Sequence, residues 1–167
     1  HLGVVRIDDE RDFVIADVPG LIEGAHEGQG LGHQFLSHLE RTKVLVHMID
    51  VTSATGREPT EDFQMIQVEL KEFASKNSSL KPLDGDSSPL MEKRQLVVAT
   101  KIDALDEPRR LEQLRDALKI TGLPLYEISA VTGEGLSQLL EGIWAALRQH
   151  DDDSANATAP LKLQTFE

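Results

Sequence analysis

The run VLVHMIDV, from Val44 to Val51, constrains the fold of this chain more than any other stretch. A nearly continuous apolar run of this length suits a strand buried on both faces, and such strands belong to parallel sheets covered by helices. Further strand-like runs are GVVRI from Gly3 to Ile7, FVIA from Phe13 to Ala16, QLVVAT from Gln95 and LPLYEIS from Leu123. Helical spacing lies between them. Leu31, Phe35, Leu36 and Leu39 share a face within 31–43, and Phe63, Ile66, Leu70 and Phe73 follow a helix start at Pro59 and Thr60. Leu111, Leu114 and Leu118 mark a helix near Pro108 to Lys119. Leu136, Leu139, Leu140, Ile143, Trp144 and Leu147 mark a closing one. Strands alternating with helices predict an α/β fold with a mostly parallel sheet. The polar DDERD between the first two strands predicts a hairpin turn, and 77–93, rich in Ser, Pro, Asp and Gly, reads as a surface loop. From His150 onward neither period nor core is visible, so 150–167 reads as a disordered tail or linker behind a domain at 1–149.

Composition narrows the partners. The formal charge of −12 argues against broad adhesion to nucleic acid or to an anionic membrane. With no cysteine there is no disulfide partner and no thiolate metal site, which fits a reducing compartment. No apolar run approaches a membrane span and the N-terminus lacks a signal pattern, so the expected setting is cytoplasmic. The chain begins at His1 rather than Met, with a strand almost at once, and is read as a piece of something longer.

Three strand ends carry polar signatures: DVPG from Asp17, TKID from Thr100 and SAV from Ser129. Ligands of open parallel sheets bind where strand C-termini meet loops, so three signatures on one edge point to one shared ligand. Asp17 just past a strand can hold a hydrated Mg2+, and Gly20 lets the backbone point an N–H at a phosphate oxygen. Asp103 can accept two hydrogen bonds from the amino edge of guanine, while the stem of Lys101 lies across the base. Ala130 would offer its backbone N–H to a base oxygen, with Ser129 tightening the turn. Each signature alone has an ordinary reading: a strand–turn–helix connection, an acidic helix start, a Ser-initiated turn. Their order on successive apolar strands is far more specific, and it is that of the second half of a guanine-nucleotide-binding domain. His26, His33 and His38 are too unevenly spaced for a metal site, and the DDD at 151–153 reads as solvated.

The stretch FVIADVPGLIEGAHEGQGLGHQFLSHLERTKVLVHMIDV resembles the Obg (CgtA) family of bacterial GTPases, chiefly through GLIEGA followed by GQGLGHQFLSHLERT. The likeness continues through PTEDFQMIQVELKEF and VVATKID to ISAVTGEGLSQLL, over about residues 1 to 149. It implies a Ras-like P-loop NTPase sheet, here N-terminally truncated, with the phosphate loop and first switch outside the chain. It also implies GTP hydrolysis to GDP and phosphate, as a slow switch in large ribosomal subunit assembly, with a ribosomal large-subunit precursor as partner. The implied GTP-binding residues are Asp17, Val18, Pro19, Gly20, Thr100, Lys101, Ile102, Asp103, Ser129, Ala130 and Val131, with Asp17 on Mg2+ through water.

Departures accompany the likeness. No GxxxxGK[ST] occurs in the sequence, and this polypeptide alone is therefore expected to bind and turn over GTP poorly. Thr100 stands where most relatives have Asn, which is expected to weaken base binding modestly. Leu21 follows Gly20 where Ras-like proteins place a water-orienting Gln, so turnover is expected to be slow and no residue is assigned as catalytic. The alternative is a non-hydrolysing interaction module that kept the sheet and lost the phosphate loop.

Overall fold

A computed structural model of the chain describes residues 2–17, 42–77 and 90–157. Strands β1 (Leu2–Arg6) and β2 (Asp12–Ala16) pair antiparallel, Val4 opposite Val14 and Leu2 opposite Ala16. Asp8 closes the turn by accepting from the backbone N–H groups of Glu10 and Arg11. This is the expected hairpin. Three further strands, β3 (Val44–Asp50), β4 (Arg94–Thr100) and β5 (Leu125–Ile128), form a parallel sheet in that order. Helix α1 (Pro59–Asn77) connects β3 to β4, α2 (Pro108–Thr121) connects β4 to β5, and α3 (Leu136–Ala157) follows β5. The predicted α/β fold is therefore present, with Pro opening α1 and α2 where its absent N–H costs nothing. Gly122 ends α2 in the left-handed region and sends its N–H to the Leu118 carbonyl.

The core has two layers, one on each face of the sheet. On one face Ile49, Val51, Val97 and Ala99 pack with Phe63 of α1 and Leu111, Leu114 and Leu118 of α2. On the other, Leu96, Val98 and Ile128 pack with Leu139 and Ile143 of α3. Alternation along β4 produces this: odd and even residues point to opposite faces, and Leu96 to Ala99 are all buried. Each such fully buried aliphatic side chain contributes about 1.5–3 kcal/mol.

Four expectations are altered. β3 is not buried on both faces: Leu45, His47 and Ile49 are buried, whereas Met48 is 54% exposed. β3 is one of the two edge strands of the three-stranded sheet, and of its residues the α3 layer packs against Val44 and Val46 only. Second, the segment before β4 is not all surface, since Leu90 packs with Leu45, Ile66 and Leu70, and buried Lys93 reaches the Thr42 carbonyl at 2.6 Å. Third, α3 continues through Ala157 instead of giving way to a tail at His150. His150 is buried, whereas the aspartates at 151–153 stand exposed as expected, Asp151 pairing with Lys43 at 2.5 Å and Asp153 with Arg94 at 2.8 Å. These contacts carry no apolar period, so a reading by periodicity stops too early. Fourth, Thr42 and Lys43 lie outside any helix; the rest of the helix expected at 31–43 falls outside the described residues.

Candidate functional site

Register assembles the site. Asp50 pairs with Thr100 across β3 and β4, and Thr100 pairs with Ile128 across β4 and β5. Asp50, Thr100 and Ile128 therefore form one row at the C-terminal edge of the sheet. Lys101 and Ser129, the residues just past Thr100 and Ile128 of that row, bring two of the three polar signatures side by side. Asp17 closes β2 of the separate hairpin, exposed, so the three signatures do not share one sheet edge among the described residues. Val18, Pro19 and Gly20 lie outside the described residues, as do Leu21, His26, His33 and His38.

Past β4 the backbone turns sharply. Lys101 has φ 62° and ψ 36°, and among the described residues it is the only non-glycine with positive φ. An L-residue held there costs roughly 1–2 kcal/mol, so its neighbours must fix it. Its carbonyl accepts the Ala104 N–H at 3.0 Å, closing a 3-10 turn over Ile102–Ala104 that presents Asp103 exposed at its middle. Its ammonium lies 2.6 Å from Asp50 Oδ2. The other oxygen of Asp50 accepts from the backbone N–H of Thr52 at 2.9 Å and from the Thr52 hydroxyl at 2.8 Å. Partial burial pushes the Asp50 carboxyl up, but the bond from Lys101 and the two from Thr52 outweigh it and hold the group below the ordinary carboxylate range. The hydroxyl of Thr100 donates to the Ile49 carbonyl at 3.2 Å, so its proton is spent on the sheet.

The loop past β5 is closed on itself. Ser129 is fully buried; its N–H donates to the Glu134 carbonyl, its carbonyl accepts the Gly133 N–H and its Oγ accepts the Thr132 N–H at 3.0 Å. With Ser129 fixed at three points, Ala130 and Val131 stand exposed, Val131 by 86%. Gly135 ends the loop at φ 72°, where a Cβ would lie 1.9 Å from the Glu127 carbonyl oxygen, so only glycine lets the chain pass β5 this closely. A cavity of about 320 Å³ at the outer edge of β5 is lined by Ile102, Tyr126, Glu134 and Gln138 among others. Of the expected nucleotide-binding residues it includes only Ile102.

Residues 1–85 match the family described as 50S ribosome-binding GTPase. The chain is 48% identical to GTPase Obg of Solibacter usitatus over 139 residues, which is 83% of this chain and 37% of that protein. It is 45% identical to GTPase Obg of Aquifex aeolicus over 159 residues, 95% of this chain and 43% of that protein. The chain belongs to the Obg family of GTPases. GTPase Obg of Caldicellulosiruptor saccharolyticus, 44% identical, matches 99% of this chain with 36% of its own length. The Obg chain described here thus spans well under half the length of these relatives.

Reading the sequence did not find the supports of this Obg site. Asp50 is one; the loop that follows β3 supplies others. Ser53 donates its N–H to Asp106 Oδ1 at 3.1 Å and its hydroxyl to Asp106 Oδ2, tying that loop to the one past β4. Arg110, buried in the first turn of α2, donates to the Val51 carbonyl at 3.2 Å, to Thr52 at 3.1 Å and to Arg57, and pairs with Glu58 at 2.8 Å. The available signal was a carboxylate closing the most apolar run of the chain, one strand away from Thr100.

Proposed function

We propose that this chain is the guanine-reading part of an Obg-type G domain, which extends past the expected end at 149 to include the whole of α3 through Ala157. The complete protein would hydrolyse GTP to GDP and phosphate as a slow switch in large ribosomal subunit assembly, on a large-subunit precursor and in the cytoplasm. The single observation that supports it best is the row Asp50, Thr100, Ile128, which brings the Lys101–Asp103 turn and the Ser129–Val131 loop to one sheet edge. In this reading Asp103 takes the N1 and N2 protons of guanine, and Lys101 lays its stem on the base under the guidance of Thr100 and Ile102. Ala130, between Ser129 and Val131, offers its N–H to the base oxygen. Asp17, Val18, Pro19 and Gly20 would sense metal and terminal phosphate.

Mg2+ would supply charge neutralisation at the phosphates. The exposed carboxylate of Asp17 suits a water-mediated contact with such a hard cation. Among the described residues no three acidic or imidazole groups gather around a common point. No described helix is long and apolar enough to cross a membrane.

Titration of the complete natural protein with GDP and XDP tests the base assignment. Asp103→Asn should weaken GDP and favour XDP, because the amide can donate to the extra base oxygen of xanthine. Unchanged preference for guanine would remove Asp103 from the site, and no nucleotide binding by the unaltered protein would leave an interaction module.

A further inference from the structure

We propose that Asp50 is a positioning residue for base recognition: its carboxylate holds Lys101 in the left-handed conformation that aims Asp103 at the base. This rests on the guanine-nucleotide reading above. Asp50 is not among the residues expected to contact the nucleotide. It sits at the end of β3, one strand from Thr100, and each of its oxygens has a separate task. Oδ1 is fixed by the two bonds from Thr52, which orients the carboxylate, and Oδ2 takes the Lys101 ammonium at 2.6 Å. The carboxylate side chain is only 18% exposed, whereas that of Lys101 is 62% exposed, so the anchor is the fixed partner and the lysine the one being held.

The backbone explains why a hold is needed. Lys101 alone among the described non-glycine residues has positive φ, and the 3-10 turn carrying Asp103 starts from its carbonyl. If Lys101 relaxed to negative φ, the turn would rotate and Asp103 would move with it. A second tie on the far side, Ser53 to Asp106, joins the same two loops. Asp103 therefore lies between two cross-loop contacts, at Lys101 and at Asp106, and both originate in 50–53, the last residue of β3 and the loop after it.

The test measures GDP and IDP binding to the complete natural protein by calorimetry; IDP lacks the 2-amino group that Asp103 would bind. Asp50→Asn should lower GDP affinity about tenfold, on the scale of coupling between contacting side chains, and shrink the preference for GDP over IDP. Lys101→Gly supplies the control, since glycine enters the left-handed region unaided. In that background, adding Asp50→Asn should leave the GDP-to-IDP ratio unchanged. An unaltered ratio in Asp50→Asn alone, or the same drop in the glycine background, would overturn the assignment. Failure of the unaltered protein to prefer GDP over IDP would instead defeat the guanine reading on which it rests.

Discussion

Arg110 on α2 and Val51 just past β3 are joined at 3.2 Å by a guanidinium whose side chain is 4% exposed. The same group also satisfies the carbonyls of Thr52 and Arg57. One side chain thus completes the hydrogen bonding of a stretch of backbone that has left the sheet but remains covered.

Arg110→Ala should cost about 3 kcal/mol, because buried carbonyls lose their donor and the Glu58 pair is broken. Arg110→Lys should recover only part of this, since an ammonium cannot copy the planar fork. Denaturant midpoints of the three proteins check the order; equal stability of the alanine and parent proteins would show that water replaces the guanidinium freely.

Two glycines of one loop should respond differently to alanine. Gly133 has φ 82° with open space around its Cβ position, so Gly133→Ala should cost about 1 kcal/mol from backbone conformation alone. Gly135 meets the Glu127 carbonyl as well, and Gly135→Ala should cost about 2–4 kcal/mol. Thermal unfolding of the pair decides this, and similar melting temperatures would contradict it.

Acid should weaken the fold through His47. Its Nε2 lies 3.0 Å from Gln95 Oε1, which also accepts from Gln67, so Nε2 carries the proton of a neutral ring. Burial pushes the imidazole below its ordinary value, and the bond to Gln95 restores only part. The unfolded chain therefore binds a proton first as pH falls below about 6.5, and stability declines until the folded ring titrates in turn. The loss is at most about 1.4 kcal/mol per pH unit and should be absent from His47→Gln. Urea midpoints from about pH 7 to pH 5 measure it; parallel curves for both proteins would rule the histidine out.

The hairpin should depend on Phe13 more than on its ion pair. Arg11 makes two bonds to Glu141 of α3, at 2.8 and 2.9 Å, but the pair stays open to solvent, Glu141 being 52% exposed and Arg11 partly so. Glu141→Gln should therefore cost under about 1 kcal/mol. Phe13 packs on the cluster containing Leu139 and Ile143, and Phe13→Ala should cost about 2–3 kcal/mol. Hydrogen exchange of the β1 and β2 amides reads the detachment directly, and a larger effect from Glu141→Gln would reverse the ranking.

Local patterns along the chain were enough to place the strands and helices in order, the faces of α1 and α2, and TKID and SAV at strand ends. These follow from periods of two and 3.6 residues and from Pro and Gly punctuation, all local in the chain. Three-dimensional packing was needed to put Asp50, Thr100 and Ile128 in one row, to turn Lys101 left-handed against Asp50, and to bury Arg110 under the loop after β3. It also decided that α3 runs past His150, where its aspartates pair with Lys43 and Arg94. Most of these join residues about fifty or more positions apart, and Thr100 and Ile128, nearer in the chain, still lie on different strands. Register and loop closure set such contacts, and neither leaves a mark in local periodicity.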